Sequence, residues 1–97
     1  IEERRIEKLG LVQMRAGRSM IDLVASRGPE TAGNMDHLCL RIEPFDAAAI
    51  RARFAQFGVE IGEVVSRYGA EGDGPSVYLN DPEGNVIELK GPPGAVT

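Results

Sequence analysis

His37 is the one histidine of the chain, in the run Met35-Asp36-His37-Leu38-Cys39-Leu40-Arg41-Ile42-Glu43. Glu88 stands in a second short run, Val86-Ile87-Glu88-Leu89-Lys90. An imidazole and a carboxylate on neighbouring strands make half of a metal site, because borderline divalent ions take nitrogen and oxygen donors side by side. Such an ion acts as a Lewis acid on substrate oxygens. A lone histidine is also an ordinary structural residue, and a strand carboxylate an ordinary ion-pair partner. The pair therefore carries chemistry only if the fold makes the two side chains meet.

The elements that must position them are readable from spacing. Leu38, Leu40 and Ile42 alternate with His37, Cys39 and Arg41, which predicts a strand with two distinct faces. Glu43-Pro44 ends it, since proline donates nothing to a ladder. Asp46 is a helix N-cap, and Phe45 and Ile50 occupy the two positions of a hydrophobic staple. Ala47, Ile50, Phe54 and Phe57 then recur at helical spacing, predicting a buried stripe, and Gly58 fits the stop. Residues 63–67 read as a strand and residues 69–74 as a flexible loop, a mobile hairpin able to cover a pocket. Val77 and Leu79 alternate with Ser76, Tyr78 and Asn80 in the next strand. Asp81-Pro82-Glu83-Gly84 has the residue order of a type I turn, and residues 86–90 close the sheet.

The order is β-α-β-β-β. One helix covers one face of a sheet. The Leu38/Leu40/Ile42 face, with Ile87 and Leu89, is expected beneath it. His37, Cys39, Arg41, Val86, Glu88 and Lys90 then point to the opposite, open face, joined by Tyr78 and Asn80. Two such modules side by side would curve a sheet around a pocket, a usual place for a ligand.

The chain divides at residues 26–34, a polar segment rich in structure breakers that reads as a linker. Residues 1–25 before it hold two predicted strands, 9–12 and 20–24. The charged residues 2–8 read either as a helix end or as an exposed strand. Ile21-Asp22-Leu23-Val24 echoes Ile87-Glu88-Leu89-Lys90, an acid between two apolar residues in each. Residues 1–25 are thus read as the end of a first, partial module, and residues 35–91 as a complete second one. The predicted class is α+β: paired βαβββ modules forming a curved mixed sheet around a cavity, the first incomplete in this sequence.

Bulk properties narrow the classes. Ninety-seven residues with 42% apolar content suit a small globular protein. A formal net charge of −4 argues against nucleic acid as a partner. No apolar run approaches the roughly 18 residues of a membrane span, and no signal peptide is visible. The single cysteine, Cys39, forms no disulfide within the chain and suits a reducing cytoplasm.

The run 35–40, the segment Phe57-Gly58-Val59 and above all Asp81-Pro82-Glu83-Gly84-Asn85-Val86-Ile87-Glu88-Leu89 resemble the vicinal oxygen chelate superfamily. That superfamily includes glyoxalase I, fosfomycin-resistance proteins, extradiol dioxygenases and bleomycin-resistance proteins. The resemblance covers residues 34–90 and, more faintly, residues 9–24. It implies metal ligation by His37 and Glu88, with Asp22 at the position of the first module's closing carboxylate. The first module's own histidine has no counterpart in this sequence. The ion would be Zn, Ni, Mn or Fe(II), chelating two vicinal oxygens of a small-molecule substrate. Glu88 would also move protons, and the resemblance implies a metal-dependent lyase, isomerase or dioxygenase working as a homodimer. Arg41, Tyr78 and Cys39 are the candidate substrate contacts, Arg41 through its bidentate fork. The alternative is a metal-free protein that sequesters an antibiotic, as bleomycin-resistance members do.

Overall fold

The computed structural model describes residues 1–25 and 35–94. The predicted linker, 26–34, lies outside the described residues. The chain forms two compact units, Ile1–Asn34 and Met35–Thr97. Among the described residues there are seven strands and one α-helix, and the class is α+β.

The first unit is a three-stranded antiparallel sheet of β1 (Glu2–Ile6), β2 (Leu11–Ala16) and β3 (Ser19–Val24), in that order. The charged start resolves to the strand reading, followed by a short 3-10 turn, Glu7–Leu9. Gly10 (φ 63°) ends that turn in a left-handed conformation that glycine adopts without penalty. β2 starts two residues later than spacing suggests because this turn takes residues 7–9.

The second unit contains β4 (Leu38–Arg41), α1 (Ala47–Ala55), β5 (Val65–Gly69), β6 (Gly72–Asn80) and β7 (Val86–Lys90). The sheet order is β4-β7-β6-β5. β4 lies parallel to β7, and the other pairs are antiparallel. The last three strands of this unit form the same meander as the whole first unit. In both, the acid of the closing strand has a definite cross-strand partner: Asp22 opposite Gln13, and Glu88 opposite Tyr78.

The helix begins as its sequence dictates. Asp46 Oδ1 accepts a hydrogen bond from the Ala49 amide at 3.1 Å, satisfying a donor the helix cannot satisfy itself. Asp46→Ala should cost about 1 kcal/mol, readable in urea unfolding as a lower midpoint at unchanged slope. Gly58 (φ 72°) follows the last turn, and Asp81 organises the β6–β7 turn by accepting from the Glu83 and Asn85 amides.

The core is Phe45, Ile61, Val77, Leu79 and Leu89, flanked by Ile42, Ile50, Phe54 and Ile87. Two expectations change here. Leu38 and Leu40 do not sit under the helix: they are about half exposed, because β4 is an edge strand and the nine-residue helix packs toward the centre of the sheet. Phe57 lies beyond the helix end and is 69% exposed, with Arg53 over its ring at 5.6 Å. It is no part of the core.

Candidate functional site

Strand parity puts the expected residues on one face of the second unit. Cys39 and Tyr78 both stand opposite Glu88, and Arg41 and Ser76 both stand opposite Lys90. His37 immediately precedes β4 and extends the same face. Its Nε2 lies 2.9 Å from Glu88 Oε1, and its Nδ1 lies 2.6 Å from Asp36 Oδ2. Glu88 is buried, Asp36 is exposed, and the imidazole is about one quarter exposed. Tyr78 closes the group. Its ring meets the imidazole edge-on at 5.1 Å between centroids, with its hydroxyl 3.5 Å from His37 Nε2.

An imidazole between two carboxylates poses an electrostatic question. The neutral ring carries one proton. With that proton on Nδ1, serving Asp36, a bare lone pair on Nε2 faces a carboxylate oxygen at 2.9 Å. Two lone pairs at that distance repel unless a positive centre lies between them. A second proton supplies one, making His37 an imidazolium that donates to both carboxylates.

The pKa of His37 follows. Partial burial pushes it down, and the hydrogen bonds and charges of Asp36 and Glu88 outweigh that, so it lies above the usual imidazole value. The folded state thus holds the proton more tightly than the unfolded chain. The stabilisation is fully present below about pH 6.5, the unfolded value, and is lost as pH rises through the folded pKa. Thermal midpoints should fall across that window in the parent, and the fall should vanish in His37→Gln. Burial and then the negative charge of Glu88 push Tyr78 up to about 12, so its hydroxyl keeps its proton near neutrality.

The other expected residues are placed differently. Arg41 is held by Glu71 and Glu43, its Nη2 lying 2.7 Å from Glu43. Its fork is already occupied, which counts against a substrate carboxylate there. Cys39 is exposed, on the same face as Glu88. Asp22 belongs to the first unit, where its Oδ1 accepts from Gln13 Nε2 at 3.1 Å. Gln13 is 2% exposed, and its Oε1 has no hydrogen-bond partner among the described residues. Asn80 lines a separate groove of about 530 Å³ with Phe57, Val59 and Pro82. Among the described residues no three His, Cys, Asp or Glu side chains are grouped to hold an ion.

Three contributors escape a search for ligands. Asp36 was one letter from His37, and only its contact with Nδ1 gives it a role. Arg67 and Lys90 share the open face with Glu88. Arg67 donates to Ser76 Oγ at 2.8 Å, and its guanidinium carbon sits 4.5 Å from the centroid of the Tyr78 ring. Lys90 is 8% exposed and donates to the Gly72 carbonyl at 3.2 Å. The glycine-rich stretch 69–74 explains its path. It is a tight hairpin, with Gly69 opposite Gly72. A Cβ on Gly69 would lie 2.6 Å from Lys90 Cε, and one on Gly74 would lie 2.9 Å from Lys90 Nζ. The missing side chains form a trough in which the lysine lies flat.

No family profile matches the chain, and no curated protein does. Two solved structures are similar to it. One is the crystal structure of SMU.1112c, 21% identical, covering 93% of this chain and 76% of that one at a TM-score of 0.46. The other is a lactoylglutathione lyase from Agrobacterium tumefaciens, 22% identical, covering 93% of this chain and 73% of that one at a TM-score of 0.43. Likeness at this level assigns no activity to this chain.

Proposed function

We propose that this chain is a metal-dependent protein of the vicinal oxygen chelate type, with His37 and Glu88 as donors to one divalent ion. The observation that carries the reading is the 2.9 Å between His37 Nε2 and Glu88 Oε1. At that separation the two side chains could serve one ion together. Asp36 strengthens the fit. A carboxylate on Nδ1 fixes the tautomer that turns the Nε2 lone pair toward an ion and makes that nitrogen more basic. The nitrogen and oxygen donors suit Zn, Ni, Mn or Fe(II).

When bound, such an ion polarises two adjacent oxygens of a substrate and stabilises the oxyanion that forms as a proton leaves. The chain's own groups do the rest. Tyr78, protonated near neutrality and beside His37, offers its hydroxyl as a donor to a substrate oxygen. Glu88 Oε2, the carboxylate atom not engaged with His37, would accept the substrate proton. The buried position of Glu88 limits competing water.

The test is a count of bound ions. Protein stripped with a chelator, reloaded with Zn, Ni, Mn or Fe(II) and desalted should retain about one ion per chain, and His37→Ala should retain none. Absence of retained metal in the parent with all four ions would overturn the reading and leave ligand sequestration.

A further inference from the structure

We infer that Arg67 is the positioning residue for Tyr78: its guanidinium, clamped to Ser76, lies on the phenol ring and holds the hydroxyl toward His37 and Glu88. The inference rests on the proposed function only in giving that hydroxyl to a substrate oxygen. The positioning itself requires no metal.

Tyr78 needs a second hold. Its ring meets the imidazole edge-on, the two planes 79° apart, and its hydroxyl is 3.5 Å from His37 Nε2. That distance is at the weak end of hydrogen bonding. A phenol is also a long lever, so a small rotation about χ1 carries the hydroxyl away from the imidazole.

Arg67 supplies the hold from the neighbouring strand. It stands opposite Gly74 on the β5–β6 ladder, and its side chain runs along β6 to Ser76 and on to Tyr78. Ser76 and Tyr78 are two residues apart on one strand and so share a face. Ser76 is fully buried. Its Oγ accepts from Arg67 Nη1 at 2.8 Å, and its carbonyl oxygen lies 3.4 Å from the same nitrogen. With that nitrogen anchored, the guanidinium carbon sits 4.5 Å from the centroid of the Tyr78 ring, within cation–π range. A planar guanidinium stacks and donates at once, which a lysine ammonium cannot. Among the described residues, the imidazole and this guanidinium are the two aromatic or cationic groups that meet the ring.

The contact also acts electrostatically. The Arg67 charge opposes the rise that burial and Glu88 impose on the Tyr78 pKa. A positive charge beside the phenol makes its hydroxyl a stronger donor. Arg67 thus works through Tyr78 and not on the substrate itself.

The experiment reads the imidazole signals of the single histidine by NMR in chelator-treated protein, each variant compared as its fully protonated imidazolium. An aromatic ring beside the imidazole displaces those signals, and Tyr78→Leu gives their positions without it. Arg67→Met keeps the apolar stem and removes the guanidinium, and it should move the signals most of the way to the Tyr78→Leu positions. Arg67→Lys keeps a charge near the ring and should recover part of the parent displacement. Arg53→Met removes the same type of contact from Phe57 and should leave the signals at the parent positions. Circular dichroism verifies the fold, and Arg67→Gln repeats the comparison should the methionine variant unfold. Parent positions in the folded Arg67 variant, or in Tyr78→Leu, overturn the inference. Arg67→Met keeps both metal donors, so the two readings stay separable. Unmoved signals with one ion retained sink only the positioning, and moved signals with no ion retained by the parent sink only the metal reading.

Discussion

Glu88→Ala is expected to lower the affinity for a divalent ion by on the order of 100-fold or more. Loss of an outer-sphere partner typically costs 10- to 100-fold, and Glu88 is proposed as a direct donor. Asp36→Asn provides the scale: it leaves both donors in place, weakens only the orientation of His37, and should cost about tenfold. A second consequence is independent of metal. Hydrogen bonding to Glu88 and its charge are among the causes that raise the His37 pKa. Without them the imidazole should titrate at lower pH, as an NMR titration of the single histidine would read directly. If Glu88→Ala binds metal as the parent does, Glu88 is only the ion-pair partner of a structural histidine.

Phe45→Ala is expected to cost about 3–5 kcal/mol, a large share of the roughly 5–15 kcal/mol that holds a small domain. Phe45 is 4% exposed and joins the helix entry to Val77, Leu79 and Leu89. Its environment cannot collapse to fill the hole: a Cβ on Gly91 would already lie 2.6 Å from Phe45 Cβ, so strand end and ring are packed to contact. Phe57→Ala is the matched control. That ring is 69% exposed, and its loss should change stability by no more than about 0.5 kcal/mol. Urea unfolding of the two variants checks the contrast. Equal effects would mean that the core is wrongly placed.

The contrast between these two phenylalanines shows what spacing encodes. Alternation in residues 37–42 and 86–90 told correctly which residues share a face, because strand parity is set by the backbone and needs no partner. The caps at Asp46 and Gly58 were legible for the same reason: their donors and dihedral angles are local. Burial was less legible. Phe57 continues the helical period, yet the helix ends at Ala55, so the period runs on into solvent. Leu38 and Leu40 alternate like core residues, but their strand lies at the sheet edge, and strand order depends on pairing far along the chain. Gly69 and Gly74 leave room for the side chain of Lys90, sixteen or more residues away, which no local pattern shows. Arg41 looked available because its two carboxylates, Glu43 and Glu71, are recognisable as partners only once the hairpin is folded back.

The central claim is that the position between His37 Nε2 and Glu88 Oε1 holds a positive centre, a proton when no metal is bound and a divalent ion when one is. The measurement that tests it most directly is the number of protons released as Zn is added to chelator-treated protein in weakly buffered solution, from pH 6 upward. Metal binding requires neutral imidazole, so release should approach one proton per ion at pH 6 and decline toward zero as pH passes the raised His37 pKa. Stoichiometric uptake at pH 6 without proton release, or identical release from His37→Ala, would contradict the account.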